Sequence, residues 1–119
     1  MLTNSYNIRA KKGDTFVSPI FQIILNDVVF DLSDVEIKIT LKKSPSQSLP
    51  VLVFEENSED GNLVEKIDAA NGRFLFTTKG LNVEAGSYIY EARFTKADGT
   101  VKTYFAGKFM IYDDVSVYS

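Results

Sequence analysis

Two groups of carboxylates are the residues whose types and spacing come closest to a chemical site. They are Glu55, Glu56, Glu59 and Asp60, and then the pair Asp113 and Asp114. Paired carboxylates can act as general acid and base where an apolar wall raises one pKa, and clustered carboxylate oxygens can bind Ca²⁺. Because the first group lies in a turn-rich stretch and the second near the end of the sequence, we expect both to be solvated surface. Calcium binding by the 55–60 loop is the alternative that stays open.

Histidine and cysteine are both absent from the 119 residues. Their absence removes the commonest general base, the usual zinc ligands, disulfides and thiolate chemistry. The seven glycines occur singly, so a glycine-rich phosphate loop is missing as well. We therefore predict a protein that is not an enzyme and that has no catalytic residues, no cofactor and no metal ligands.

Three tyrosines are the residues best suited to contact a partner. Tyr104, Tyr112 and Tyr118 are predicted to lie on the exposed side of their strands. An exposed phenol ring can pack in a protein interface or stack on a sugar. A second hydrophobic layer is an equally open interpretation of the same pattern.

The chain is mildly acidic and its cations are spread along the sequence. Thirteen Lys and Arg accompany 16 Asp and Glu, which gives a net charge of −3. Because no stretch concentrates positive charge, we expect no nucleic-acid partner. Residues 1–14 lack the apolar core of a signal peptide, and no later run approaches a membrane span. These two features predict synthesis in the cytoplasm without a signal peptide and no membrane partner.

Alternation of apolar and polar residues with a period of two dominates the sequence. It is clearest in 35–43, 87–95 and 100–112, and is typical of strands with one wet face. In the last stretch, Val101 and Thr103 are predicted to face inward together with the phenylalanines. Shorter apolar runs add further strands, for a total of roughly seven to nine, and a single helical turn is predicted at 79–83.

Three local patterns indicate how these strands are connected. Asp98-Gly99 is a pair that suits a tight hairpin turn. Gly86 precedes Tyr88 at the start of a strand, as in a tyrosine corner, and a core-facing aromatic at Tyr88 is an equally open interpretation. Gly107 lies inside a strand and indicates a bulge or a close backbone approach.

Pro19 interrupts the apolar run 15–25 and marks an edge strand, a bulge or a switch between sheets. The sequence contains no internal repeat, linker or long helical pattern. We therefore predict one all-β domain over residues 1–119, folded as a two-sheet antiparallel β-sandwich with immunoglobulin-like topology.

The order of the turn and strand motifs from about residue 6 to 115 resembles one known family. The motifs are Gly13-Asp14-Thr15, Asp31-Leu32, Gly72 with Phe74, the run Gly86 to Tyr90, Asp98-Gly99, Gly107 and Asp114-Val115. In this order they resemble the N-terminal domain of the upper baseplate proteins of phages of Gram-positive bacteria, and the related small immunoglobulin-like tail proteins of phages and prophages. Glu91 departs from the family pattern, in which an Asp is expected.

The resemblance implies a non-enzymatic virion structural protein that assembles into a baseplate or tail. Its expected partners are other phage structural proteins and further copies of itself, and its expected location is the virion. No binding residue carries over, because the shared positions are architectural. The alternative function is a carbohydrate- or surface-protein-binding β-sandwich module that uses the exposed tyrosines.

Overall fold

The computed structural model describes residues 4–44, 46, 49–59 and 61–113. These residues form strands and one 3₁₀ turn, Ala69–Asn71, and contain no α-helix, so the described chain is all-β. The strands are β1 Asn4–Ser5, β2 Ile8–Lys11, β3 Phe16–Val17, β4 Phe21–Gln22, β5 Ile24–Leu25, β6 Val28–Val29, β7 Glu36–Lys42, β8 Leu52–Glu55, β9 Asn62–Asp68, β10 Arg73–Thr78, β11 Gly86–Thr95 and β12 Val101–Tyr112. Among the described residues, no helix has the length and apolar character that crossing a membrane requires.

Ten of these strands form one mixed sheet, and β5 and β6 form a separate hairpin. The path through the sheet is β1, β12, β11, β7, β8, β9, β10, β3, with β2 also on β12 and β4 also on β10. N-terminal segments therefore occupy both ends of the path. Strands β1 and β2 run parallel to β12, and β8 runs parallel to β9. The prediction of purely antiparallel pairing is wrong, because the N-terminal segment lies beside the last strand in the same direction.

The core lies between the two halves of this path. Strands β8 and β9 are joined by a single residue pair. Beyond this junction, the inner side chains of β10 lie against those of β11 and β12. The rings of Phe74 and Phe94 are 5.7 Å apart, and those of Phe76 and Tyr90 are 6.3 Å apart. The largest fully buried side chains are Tyr90, Phe54, Phe74, Phe76, Phe94, Phe109, Leu32, Ile37, Ile39, Leu41, Leu81 and Ile111.

Period-two alternation located the central strands correctly. Ile37, Ile39 and Leu41 of β7 are fully buried while Glu36 and Lys38 are exposed. The same agreement holds for β10 and β11. A strand needs only one apolar face to be held in a sheet, so alternation alone is sufficient to predict these elements.

In the middle of the chain one strand was missed and one predicted turn is wrong. Strand β9, Asn62–Asp68, was not predicted, because Lys66 and Glu65 break the apolar alternation and the preceding residues are turn-rich. The predicted helical turn at 79–83 is not formed. The 3₁₀ turn lies at Ala69–Asn71, where Gly72 closes it with a φ of 70°.

A β-bulge in β12 reverses the predicted orientation of several side chains. Ala92 pairs with Phe105, whereas the next residue, Arg93, pairs with Thr103. Tyr104 is therefore the extra residue, and a bulge of this kind lets two successive side chains point inward. As a result Val101 and Thr103 do not face the core, and Val101 is 51% exposed.

Gly107 allows the N-terminal segment to lie against β12. A Cβ atom at this position would overlap the carbonyl oxygen of Tyr6 and lie 2.9 Å from its carbonyl carbon. The predicted close backbone approach is therefore present. The hydroxyl of Tyr90 donates a hydrogen bond to the same Tyr6 carbonyl, and Asn7 Oδ1 accepts one from the Lys108 backbone N–H at 3.1 Å.

The predicted hairpin joins β11 and β12 at Asp98-Gly99. Gly99 adopts a φ of 91°, and its N–H donates to the Lys96 carbonyl at 2.9 Å. The carboxylate of Asp98 accepts the Thr100 N–H at 2.9 Å, and this bond lowers the pKa of that carboxyl group. Only Gly99 needs positive φ, which fits a type I turn followed by a bulge.

Tyr88 is buried at the start of β11, and its hydroxyl donates to the Glu84 carbonyl at 2.6 Å. Gly86, two residues earlier, begins the strand with a φ of 156°. A hydrogen bond from a strand-initiating tyrosine back to upstream backbone is the defining contact of a tyrosine corner. Because the Tyr88 side chain is also buried, it is at the same time a core-facing aromatic, the second interpretation of the sequence.

Candidate interaction surfaces

Two of the carboxylates singled out in the sequence, Glu55 and Glu56, are paired with neighbouring lysines in the structure. Glu55 lies 3.6 Å from Lys38 Nζ. Glu56 lies 3.1 Å from Lys66 Nζ and also accepts the Ile37 backbone N–H at 2.9 Å. They border an open cleft of about 280 Å³. Because Glu56 ties β9 to the start of β7, its arrangement is that of a structural ion pair.

Two members of the acidic groups, Asp60 and Asp114, lie outside the described residues, as does Tyr118. Among the residues that the structure describes, no group of three or more His, Cys, Asp or Glu side chains is placed to hold a metal ion.

The two described tyrosines of the predicted interface have different surroundings. Tyr104 is only 7% exposed, because the bulge turns it inward against Phe94 at a ring distance of 5.3 Å. Its predicted exposure is wrong. Tyr112 is 44% exposed, and the guanidinium of Arg9 lies over its ring, 5.5 Å from the centroid.

The outer sides of β2, β12, β11, β7 and β8 form a surface rich in cations, here called the cationic face. Its residues are identified by alternation, since their neighbours along each strand are buried. The six cations are Arg9, Lys11, Lys38, Lys42, Arg93 and Lys108, and the three acids are Glu36, Glu55 and Glu91. Its charge is therefore +3, on a chain whose net charge is −3.

The register across the cationic face separates it into two ends. At one end Lys38 pairs with the acid Glu55 on one side and with the cation Arg93 on the other, and the acid Glu36 lies two residues away on β7. At the other end the cations pair with apolar residues. Lys42 and Lys108 flank Ile89 from either side, and Arg9 pairs with Met110.

A shallow pocket of about 170 Å³ lies at the centre of this face. Its lining residues are Thr40, Lys42, Ser44, Ile89, Glu91 and Ala106. The small side chain of Ala106 opens the pocket between the flanking strands. Together with Met110, which is 40% exposed, the pocket gives the cationic face an apolar floor.

Sequence reasoning missed this face for a definite reason. The cations are scattered along the chain, so no stretch concentrates positive charge, yet they occupy outward positions of strands that are neighbours in the sheet. Their gathering depends on register and on the parallel pairing of β2 with β12. Neither can be predicted from alternation within single strands.

The outer sides of β9, β10 and β3 form a second surface, here called the apolar face. Thr77 pairs with Leu63 on one side and with Val17 on the other, and Leu75 pairs with Glu65. The face consists of Val17, Leu63, Leu75 and Thr77, with the exposed Glu65 beside Leu75. Ile67 follows along β9, at the register shift opposite Phe74. Val17 is 59% exposed and Ile67 is 49% exposed.

The β5–β6 hairpin adds exposed aliphatic side chains. Its turn residues Asn26 and Asp27 have φ values of 52° and 64°, the pattern of a type I′ turn. Ile24 and Val28 are 53% and 64% exposed. Phe30 anchors the hairpin at its base by packing against Tyr104, with ring centroids 5.5 Å apart.

Comparison with known proteins gives no family for this chain. No family model matches it, and no curated protein matches it. Among solved structures, it is similar to CopC from Methylosinus trichosporium OB3b, with a TM-score of 0.43, 16% identity and coverage of 93% of this chain and 89% of that one. It is also similar to murine CRIg, with a TM-score of 0.42, 10% identity and coverage of 89% and 92%. At such TM-scores neither likeness carries an argument about this chain.

Proposed function

We propose that this protein is a non-enzymatic structural component of a phage or prophage particle, where it takes part in baseplate or tail assembly. It acts through contacts with other phage structural proteins and with copies of itself. It is made in the cytoplasm and is incorporated into the virion. The order of motifs across most of the chain supports this reading.

The apolar face is the observation that carries the proposal. Val17 is 59% exposed on the outer side of the sheet, where Thr77 separates it from Leu63, and Leu75 lies two residues along β10. Ile67, four residues along β9 from Leu63, is 49% exposed, and the exposed Glu65 lies between them. Apolar side chains that adjoin one another on a protein surface mark sites where another protein binds. An assembly component covers such a face with its neighbour in the particle.

The open end of the sheet at β3 and β4 favours contact through the face over contact through the edge. Pro19 lies between these two short strands, and it has no N–H to donate to an added strand. Between β3 and β4, Ser18 bonds to β10 instead. Its N–H donates to the Phe76 carbonyl and its hydroxyl oxygen accepts the Phe76 N–H, each at 2.9 Å. A partner therefore gains little backbone pairing here and more from apolar packing.

We also infer that the mixed sheet is an immunoglobulin-like two-sheet sandwich. The single residue pair between β8 and β9 divides the path into two layers, one with β12, β11, β7 and β8 and one with β9, β10 and β3. The hydrogen bond from Tyr88 to Glu84 lies where the chain crosses from β10 to β11, the position of the tyrosine corner in such folds.

The alternative, a carbohydrate- or surface-protein-binding module, has less support. It relied on exposed tyrosines, and burial of Tyr104 removes one of them. Stacking on a sugar needs an open ring face, and one face of Tyr112 is covered by Arg9.

Peptide mass spectrometry of gradient-purified particles from an induced culture tests the proposed function. We expect the chain in a constant ratio to the other particle proteins across the gradient peak. The variant Val17→Lys/Ile67→Lys should fold but fail to enter particles. Leu49→Lys, a change at an exposed apolar residue between β7 and β8 that belongs to neither face, should enter normally. Absence of the wild-type chain from intact particles, while it is abundant in the lysate, would overturn the proposal.

A further inference from the structure

We propose that the cationic face binds an acidic polypeptide of a second protein, a segment in which carboxylates flank an apolar side chain. The inference deepens the proposed function and rests on it, since it names the chemistry of one assembly partner. It concerns a surface different from the apolar face.

The charge of the face is the first argument. Six cations against three acids leave +3 on this surface, so the rest of a chain of net charge −3 carries −6. Positive charge is thus concentrated on one side of an acidic molecule. A partner with negative charge is attracted to this side and repelled by the others, which fixes its docking orientation.

Two of the three acids, Glu36 and Glu55, lie at one end of the face, and the third, Glu91, lines the pocket. Lys38 already lies 3.6 Å from Glu55, so this end is largely neutralised from within. Lys42, Lys108 and Arg9 have apolar register partners instead. Their charges surround Ile89 and Met110, so a partner that engages them must also contact an apolar floor.

The size of the pocket indicates what fits there. Its volume of about 170 Å³ is below the ~300–1,000 Å³ typical of small-molecule sites. It therefore suits one apolar side chain of a partner better than a whole free ligand. Methionine, tyrosine and arginine, the types found at Met110, Tyr112 and Arg9, are enriched in protein interfaces.

A nucleic acid or another simple polyanion matches this surface less well. Single-stranded nucleic acids bind through aromatic rings on which bases stack, and Arg9 lies over the Tyr112 ring. A phosphate backbone would place charge against Ile89 and Met110 and leave their apolar surface without a matching group. A polypeptide with glutamates around an aromatic or aliphatic side chain satisfies both the cations and the floor.

Fluorescence anisotropy with labelled polymers tests the inference. The probes are a random copolymer of glutamate and tyrosine, polyglutamate of equal charge, and single-stranded DNA of equal charge. We expect the copolymer to bind most tightly, and its affinity to fall as salt increases. The variant Lys42→Glu/Lys108→Glu should lose about tenfold or more in affinity, the loss typical of removing key interface residues.

Lys79→Glu/Lys102→Glu is the matched control, because it changes the net charge equally at exposed lysines outside the face. It should retain copolymer binding. Circular dichroism establishes that each variant folds, and Lys42→Gln/Lys108→Gln replaces the reversal variant if that one does not. DNA binding as tight as copolymer binding, an equal loss in the control, or no copolymer binding at all would overturn the inference.

The two proposals fail separately. If the chain is stoichiometric in particles but binds no copolymer, the structural role stands and the inference falls. If the chain is absent from particles but binds the copolymer through Lys42 and Lys108, the virion role falls and the acidic-peptide surface remains.

Discussion

The two outer faces of this molecule are built on the same inward pattern but differ in what they show to solvent. Strand β7 buries Ile37 and Ile39 while turning Lys38 outward, whereas β10 buries Phe74 and Phe76 while turning Leu75 outward. Folding constrains only the inward residues, since these alone fill the core. The outward residues are less constrained by the core, and under the proposed function the apolar side chains beside Leu75 are covered by a partner.

Phe76 and its neighbour Leu75 provide the largest contrast between inside and outside. Phe76 is fully buried and contacts Phe54 at a ring distance of 4.9 Å. We expect Phe76→Ala to lower the free energy of unfolding by about 3–5 kcal/mol, through lost burial and the cavity left behind. Leu75→Ala, one position along β10, should cost much less, because its side chain is partly exposed on the apolar face.

Urea denaturation followed by circular dichroism measures both changes. A cost for Leu75→Ala as large as that for Phe76→Ala would mean that the apolar face is part of the core. The apolar face would then not be available to a partner, and the proposed difference between the two outer faces would be contradicted.

Gly107 tests whether the cationic face depends on the N-terminal segment. A Cβ atom here would overlap the Tyr6 carbonyl, so Gly107→Ala must displace the segment that carries Arg9. We expect a loss of about 1–3 kcal/mol in unfolding free energy, as for overpacking in a filled site. Gly80→Ala is the control, since nothing lies within 4 Å of a Cβ placed at Gly80.

Hydrogen exchange of the β2 amides should show the mechanism of that loss. Protection of residues 8–11 should decrease selectively in Gly107→Ala, whereas β9 and β10 should keep theirs. Uniform loss of protection over all strands would instead mean that β2 does not detach as a unit.

Tyr88 offers a smaller effect with a dependence on pH. Burial raises the pKa of this phenol, and the charge of Glu84 raises it further. The folded state therefore favours the neutral form, so this stabilising contribution is complete below the ordinary tyrosine pKa of about 10 and is lost as pH rises above it. Tyr88→Phe removes the hydrogen bond to Glu84 and should cost about 0.5–1.5 kcal/mol at neutral pH.

The difference in unfolding free energy between the wild type and Tyr88→Phe should therefore shrink above pH 10. Taking the difference cancels the titration of the other tyrosines and lysines. A gap that stays constant up to high pH would show that the Tyr88 hydroxyl is not held out of water at the corner.

Much of the fold could be predicted from local sequence, because the decisive forces there are local. Alternation in 35–43 and 87–95 located two central strands, and Asp98-Gly99 located the hairpin between β11 and β12. The parts that failed depend on contacts between distant residues. Parallel pairing of β2 with β12 is decided by the approach of Tyr6 to Gly107, which are far apart in the sequence.

The candidate surfaces were less accessible to prediction than the strands. Tyr104 is the extra residue between Thr103, which pairs with Arg93, and Phe105, which pairs with Ala92. A single bulge of this kind reverses which side of the sheet a residue faces. The cationic face requires the register of five neighbouring strands, and strand β9 of the apolar face was not predicted at all. To predict a surface that spans several strands, one must know which strands pair and in which register. Alternation within a single strand does not give this information.

The smallest expected effect on stability is also the most direct test of what the apolar face is for. Val17→Ser/Ile67→Ser replaces two half-exposed side chains that the isolated chain does not bury. Each surface substitution should change the free energy of unfolding by no more than about 0.5 kcal/mol. Self-association measured by sedimentation velocity should nevertheless decrease, because water around Val17 and Ile67 is released only when another surface covers them. A large loss of stability with unchanged self-association would assign these side chains to the fold, and the two outer faces would then no longer differ in purpose.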